Sequence, residues 1–165
     1  MGLTIPLVAA ARPVALLVYL CALLPRPGCS LVDQLREEPG IFAPGFPAAV
    51  GRDEVGRSYW TDPAAAMDAF FHDCAPQDAS AAAARLRPQG RPPNVEPFPL
   101  ASLPDVPCAS VVASGDRCVA PEWSRRAARE RLGVEAVELP GGHAPFLSRP
   151  AELAEVLIEL ARAYP

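Results

Sequence analysis

Between Pro107 and Pro150 the chain carries a strand, a helix and a second strand in succession, and this order constrains the fold more than any other stretch. Residues 108–114, CASVVAS, form a short apolar run of small and β-branched side chains bounded by Pro107 and Gly115. Such a run fits a strand buried on both faces. It ends at Asp116. Pro121 then opens a helical segment, PEWSRRAARERL, with Gly133 placed to cap its carboxyl end. Residues 134–139, VEAVEL, predict the next strand, closed by Pro140, Gly141 and Gly142, and His143 follows at once. A strand–helix–strand unit of this kind is right-handed with parallel strands, so both strands finish at one edge of one sheet. Asp116 and His143, 27 positions apart, therefore leave the sheet side by side at its carboxyl edge, where open α/β sheets place their chemistry. A carboxylate that holds an imidazole in one tautomer is two-thirds of a Ser-His-Asp relay. Singly, each residue has an ordinary explanation, the Asp as a turn or cap residue and the His as a pocket side chain. The pair, in this order and in glycine-containing turns after successive strands, carries the catalytic reading.

With 165 residues the chain has room for one domain with a real core. A formal net charge of −4 and no Lys/Arg-rich face argue against nucleic acid as a partner. Five cysteines make an odd count without a CxxC pair, so neither a disulfide framework nor a zinc site is expected. Reduced, mostly buried thiols fit a cytoplasmic protein. Cys118 stands two residues from Asp116 and reads as a small apolar filler rather than a nucleophile.

The opening residues, MGLTIPLVAAARPVALLVYLCALLP, have the look of a membrane anchor, but no positive charge precedes the apolar part and Arg12-Pro13 divide it. They predict a helix from Gly2 to Ala11 and a buried strand from Val14 to Cys21, without a membrane span. Residues 1–24 thus read as core, 25–105 as an inserted lid, and 106–165 as the carboxyl-terminal core. Within the insertion Ser30 caps a short helix, LVDQLREE, stopped by Pro39-Gly40, and residues 41–56 are expected to form a loop. Asp62 caps a second helix, PAAAMDAFFHDC, with Pro63 at its first position and Met67, Phe70 and Phe71 on one face. His72, Asp73 and Cys74 are metal-ligand types in a row, but consecutive helix positions diverge and do not converge on one ion. A proline-rich return, RPQGRPPNVEPFPLASLPDVP, leads back to the core. The last segment, from Arg149 to Tyr164, sets Leu153, Val156, Leu157, Leu160 and Tyr164 against a charged face and should cover the sheet beside the strand that delivers His143.

The stretches SGDRCVAP and LPGGHAPFLSRPAELAEVL resemble the carboxyl-terminal part of α/β-hydrolases, especially the small-ester hydrolases related to plant methylesterases and hydroxynitrile lyases. The lid sequence FFHDCAPQDASAAAARLRPQ resembles that of bacterial members. The resemblance implies an α/β fold of parallel strands with flanking helices and an inserted helical lid, with Asp116 as the triad acid and His143 as the base. Its substrate would be a small carboxylic ester, with no cofactor, no nucleic acid and no membrane as partner. The family's order is nucleophile, acid, histidine, with the nucleophile in a G-x-S-x-G elbow. None of the chain's serines stands in that motif. GLTIPLVAAARPVALLVYLCALLPRPG resembles the helix and strand after the elbow, so Gly2 would be its last glycine and Met1, whose backbone N–H would serve the oxyanion hole, the residue after the serine. The chain then reads as a fragment of a hydrolase, inactive alone and with its first strand open to aggregation. The alternative is a non-catalytic remnant that binds small molecules.

Overall fold

The computed structural model describes residues 2–47 and 49–164, so Met1, the expected oxyanion donor, lies outside the described residues. Helix α1 (Ile5–Ala11) follows a turn at Gly2–Thr4, so it begins later than the sequence pattern predicts. Arg12 precedes a proline, which disfavours helical backbone, and it is extended at φ −146° and ψ 149°. Strand β1 (Leu17–Leu20) ends at Cys21, which has φ +44°. Its pairing begins where Leu17 donates its N–H to the Pro107 carbonyl at 2.9 Å, three residues beyond the expected start.

The segment between β1 and the next core strand is mostly helical. Helix α2 (Leu31–Glu37) has a reciprocal cap, in which Ser30 Oγ accepts the Asp33 N–H at 3.1 Å and the Asp33 carboxylate accepts the Ser30 N–H at 3.2 Å. Residues expected to form only a loop instead contribute β2 (Val50–Arg52), which pairs antiparallel with β3 (Ser58–Trp60). The hairpin turn is held by Asp53, whose carboxylate accepts N–H bonds from Val55 and Arg57, and by Gly56 at φ +78°. Helix α3 (Pro63–Phe70) starts at Asp62, whose carboxylate accepts the Ala64 N–H at 2.8 Å. It stops at Phe70, four residues before the predicted end, and α4 (Pro76–Ala83) and the short α5 (Pro92–Val95) follow.

Strand β4 (Cys108–Ala113) is buried along nearly its whole length, as its unbroken apolar run requires. Helix α6 (Pro121–Ala127) widens into a π turn over 128–132 and stops at Gly133, which is left-handed at φ +68°. Val134 still donates to the Ala128 carbonyl at 3.2 Å, so the helix terminus consumes the first residues of the predicted strand and β5 is shortened to Val137–Leu139. Helices α7 (Pro145–Ser148) and α8 (Pro150–Ala163) complete the chain.

The sheet is parallel in the order β1-β4-β5, with Leu17 opposite Cys108 and Ala113 opposite Leu139. On one face Leu17 and Tyr19 pack with Trp123, Ala127, Leu24 and Ile41. On the other, Val111 and Leu139 meet Leu153, with Val156 and Leu160 of α8 beside them. Leu157 and Tyr164, expected on the covered face, are each 37% exposed. Across the first face, Arg131 donates to the Leu24 carbonyl and Gln34 Oε1 at 2.6 and 2.7 Å and pairs with Glu38, while Trp123 Nε1 donates to Glu38 at 2.8 Å. This network binds α2 to the π turn. Among the described residues, no helix is long and apolar enough to cross a membrane.

Candidate active site

The site lies at the carboxyl ends of β4 and β5. Ser114 donates its N–H to the Leu139 carbonyl at 2.8 Å, and Gly115 donates to the Gly141 carbonyl at 2.9 Å. These bonds extend the β4–β5 ladder past the strands and join the two turns. The approach is close: a Cβ on Gly115 would stand 3.0 Å from the Gly141 oxygen. Gly141 itself has φ +96°, a conformation that glycine adopts without strain.

The turn after β4 buries Asp116, whose side chain is 3% exposed. Its Oδ1 accepts the N–H groups of Cys118 and Val119 at 2.7 and 3.1 Å, which fixes the carboxylate plane. Oδ2 is thereby aimed at His143 Nδ1, 2.8 Å away. An ionised carboxylate only accepts, so the bond places the imidazole proton on Nδ1 and leaves the Nε2 lone pair available. The His143 ring is 23% exposed, open enough to meet a small molecule. Phe70 packs beside it, ring centroids 5.4 Å apart. The two residues that the sequence pairs are therefore in direct contact.

Two thiols border the acid. Burial first, and then the negative charge of Asp116, push Cys21 up to about 12, and the same two causes raise Cys118. Neutral and enclosed, neither thiol is suited to attack a substrate, and Cys118 packs in the core with Val119 and Trp123. Among the described residues, no group of three or more His, Cys, Asp or Glu side chains is gathered to hold a metal ion.

Beside the carboxylate, Asp116 and Arg117 line a cleft of about 440 Å³ with Phe46, Trp60, Asp68 and Ala69. A second cleft of about 550 Å³ shares Phe46 and Trp60 and runs past Phe42, Phe70 and Leu35. Edge-to-face and tilted contacts link Phe46, Trp60 and Phe70 into one aromatic wall, with centroids 5.2 to 5.8 Å apart. The wall joins the loop before β2, strand β3 and helix α3. Of the residues grouped from sequence as an apolar face, Phe71 is buried with Ala79 and Ala144, whereas Phe70 lies against the imidazole.

The run His72, Asp73, Cys74 lies in the turn after α3 rather than on the helix, and His72 and Asp73 both face Gly142, so the expected divergence of helix positions does not apply; Asp73 has a role that the sequence pattern did not reveal. Its Oδ2 accepts the N–H of Gly142, the residue before His143, at 2.8 Å. Arg117, next to the acid, forms an ion pair with Asp68 of α3. The segment from 68 to 73 thus touches both turns. Spacing holds no signal for either contact, because each partner is brought in by the fold from a distant part of the chain.

The model of the alpha/beta hydrolase family matches residues 2–156. No match to a curated protein reaches significance. Among solved structures, a pyrethroid hydrolase from Sphingobium faniae JZ-2 superposes with a TM-score of 0.72 at 24% identity, covering 98% of this chain and 67% of that one. Polyneuridine aldehyde esterase gives a TM-score of 0.76 at 18% identity over 97% of this chain and 68% of its own length. A point mutant of tomato methylketone synthase I gives 0.72 at 19% identity over 99% and 68%. The chain spans about two-thirds of the length of these structures. With the parallel sheet, its flanking helices and the family match over nearly the whole chain, this protein belongs to the alpha/beta hydrolase family.

Proposed function

We propose that Asp116 and His143 are the acid and base of a Ser-His-Asp relay that hydrolyses small carboxylic esters, with the serine supplied from residues upstream of Met1. The observation that carries this reading is the 2.8 Å contact between His143 Nδ1 and Asp116 Oδ2 at the carboxyl edge of a parallel sheet. In the mechanism, His143 Nε2 takes the proton of the serine as it attacks the ester carbonyl, then returns a proton to the leaving alcohol. Asp116 stays ionised and steadies the imidazolium; its two backbone N–H bonds keep Oδ2 in place during the exchange.

Four further observations support the reading. Among the described residues, no hydroxyl group hydrogen-bonds the His143 ring, which leaves Nε2 for an external alcohol. Gly2 presses onto β1's exit: a Cβ there would stand 2.0 Å from the Leu23 carbonyl oxygen, a fit only glycine meets and one that suits the last glycine of a nucleophile elbow. The aromatic wall of Phe46, Trp60 and Phe70 suits a substrate with an apolar acyl or alcohol group. Two of the similar structures are named as a hydrolase and an esterase.

The test is ester turnover by a chain extended through the in-frame codons before Met1, against the 165-residue chain alone. The extended chain is expected to hydrolyse p-nitrophenyl acetate, and the short one is not. Asp116→Asn should lower kcat by about 10⁴-fold, as loss of the correct tautomer does in such relays. Full activity of an extended His143→Ala protein would sink the assignment.

A further inference from the structure

We infer that Asp73 is a positioning residue for the base: its carboxylate holds the Gly141-Gly142 turn in the one arrangement that delivers His143 onto Asp116. The inference rests on the reading of His143 as base and concerns how that base is kept in place.

Four observations converge on it. Asp73 Oδ2 accepts the Gly142 N–H at 2.8 Å, one residue before His143. Arg149 Nε lies 3.9 Å from the same oxygen, beyond hydrogen-bond reach but close enough for the positive charge to favour the ionised carboxylate. The turn is moulded to it. A Cβ on Gly141 would come within 2.4 Å of Asp73 Oδ2 and 2.7 Å of Arg149 Nε, and one on Gly142 within 2.6 Å of His72 Cε1 and 2.8 Å of Asp73 Oδ1. Finally, the Asp73 side chain is only 16% exposed.

Asp73 enters from the segment after α3, 69 positions before Gly142, so the restraint is imposed across the fold rather than by the turn itself. That matters because the bond from His143 Nδ1 to Asp116 loses strength steeply with misalignment. The carbonyl of the Gly141–Gly142 peptide accepts from Gly115 and its N–H donates to Asp73, so that one plane is held from both sides. With that plane held, the backbone is anchored one residue before the imidazole.

The test reads the imidazole of the 165-residue chain directly, by nitrogen–proton correlation of the histidine rings. The chain has two histidines, and His72→Gln identifies the His143 signals. In the unaltered protein His143 is expected in the Nδ1–H tautomer with a slowly exchanging ring proton. In Asp73→Ala that proton should exchange about tenfold faster, with mixed tautomers, as loss of one charge-assisted hydrogen bond allows. Asp73→Asn, whose amide oxygen still accepts the Gly142 N–H, should restore the original pattern. Glu159→Ala, which removes an exposed carboxylate on α8, should leave it unchanged. A folded Asp73→Ala chain with the original tautomer and exchange rate overturns the inference. If the alanine chain does not fold, Asp73→Glu, which shifts the oxygens by one methylene, gives the same reading: a loosened tautomer supports it and an unchanged one overturns it. Asp116→Asn separates the two levels. If it leaves the Nδ1–H tautomer in place, the acid–base reading itself fails; if it abolishes that tautomer while Asp73→Ala does not, only the positioning role fails.

Discussion

His143 and Asp116 meet because each follows a parallel strand, and their fit depends on atoms that neither residue owns. Gly141 is the sharpest case. Gly141→Ala would demand a left-handed backbone from alanine and drive its methyl group into Asp73 and Arg149. A loss of about 1–3 kcal/mol in urea unfolding is expected, together with loss of the His143–Asp116 bond by the ring-proton signal. The thiols give a second prediction at this scale. Raised by burial, Cys21 and Cys118 remain protonated at about pH 8, so iodoacetamide should leave them unmodified in the native protein and alkylate both in urea. Mass mapping of the alkylated peptides reads the difference. Asp116 and His143 were legible in the sequence because turn glycines and strand ends sit at fixed places around them. Asp73 was not, since a hydrogen bond spanning 69 positions leaves no local pattern.

Among the elements, those defined by capping chemistry were the most legible. Ser30, Asp62 and Gly133 all stand where the sequence placed them, at the ends of α2, α3 and the π turn. The β2–β3 hairpin escaped notice because its strands are three residues each and its turn, Asp53 to Gly56, reads as charged loop. Strand β5 was overdrawn because helix hydrogen bonding runs on to Val134. The bond between α2 and the π turn depends on Arg131, whose guanidinium is 12% exposed and also lies 5.3 Å from the Trp123 ring centre. Arg131→Met would strand Gln34, Glu38 and the Leu24 carbonyl without their donor. About 3 kcal/mol should be lost, seen as a lower denaturant midpoint at unchanged slope.

For the molecule as a whole, the segment between β1 and β4 is fastened to the sheet edge by backbone bonds of residues 41–43 to 118–120 and by the contacts of Asp68 on Arg117, Phe70 on His143 and Asp73 on Gly142. One of these should be visible in acid. Desolvation opposes the charge on Asp73, yet the Gly142 N–H and the Ser148 hydroxyl outweigh it and hold the carboxyl below the usual range. A carboxylate with a lowered native pKa adds stability that is present above the ordinary Asp value of about 3.9 and lost as pH falls through the native value. Melting temperatures between about pH 6 and pH 2 should therefore fall less steeply for Asp73→Asn than for the unaltered chain. Equal slopes would show that this carboxylate does not contribute to acid unfolding. The amide of Gly115 on the carbonyl of Gly141 has one more consequence. Sharing that bond, the loops bearing acid and imidazole cannot breathe separately, so deuterium should enter both at a single common rate, and a disturbance introduced beside either one will be felt at the other.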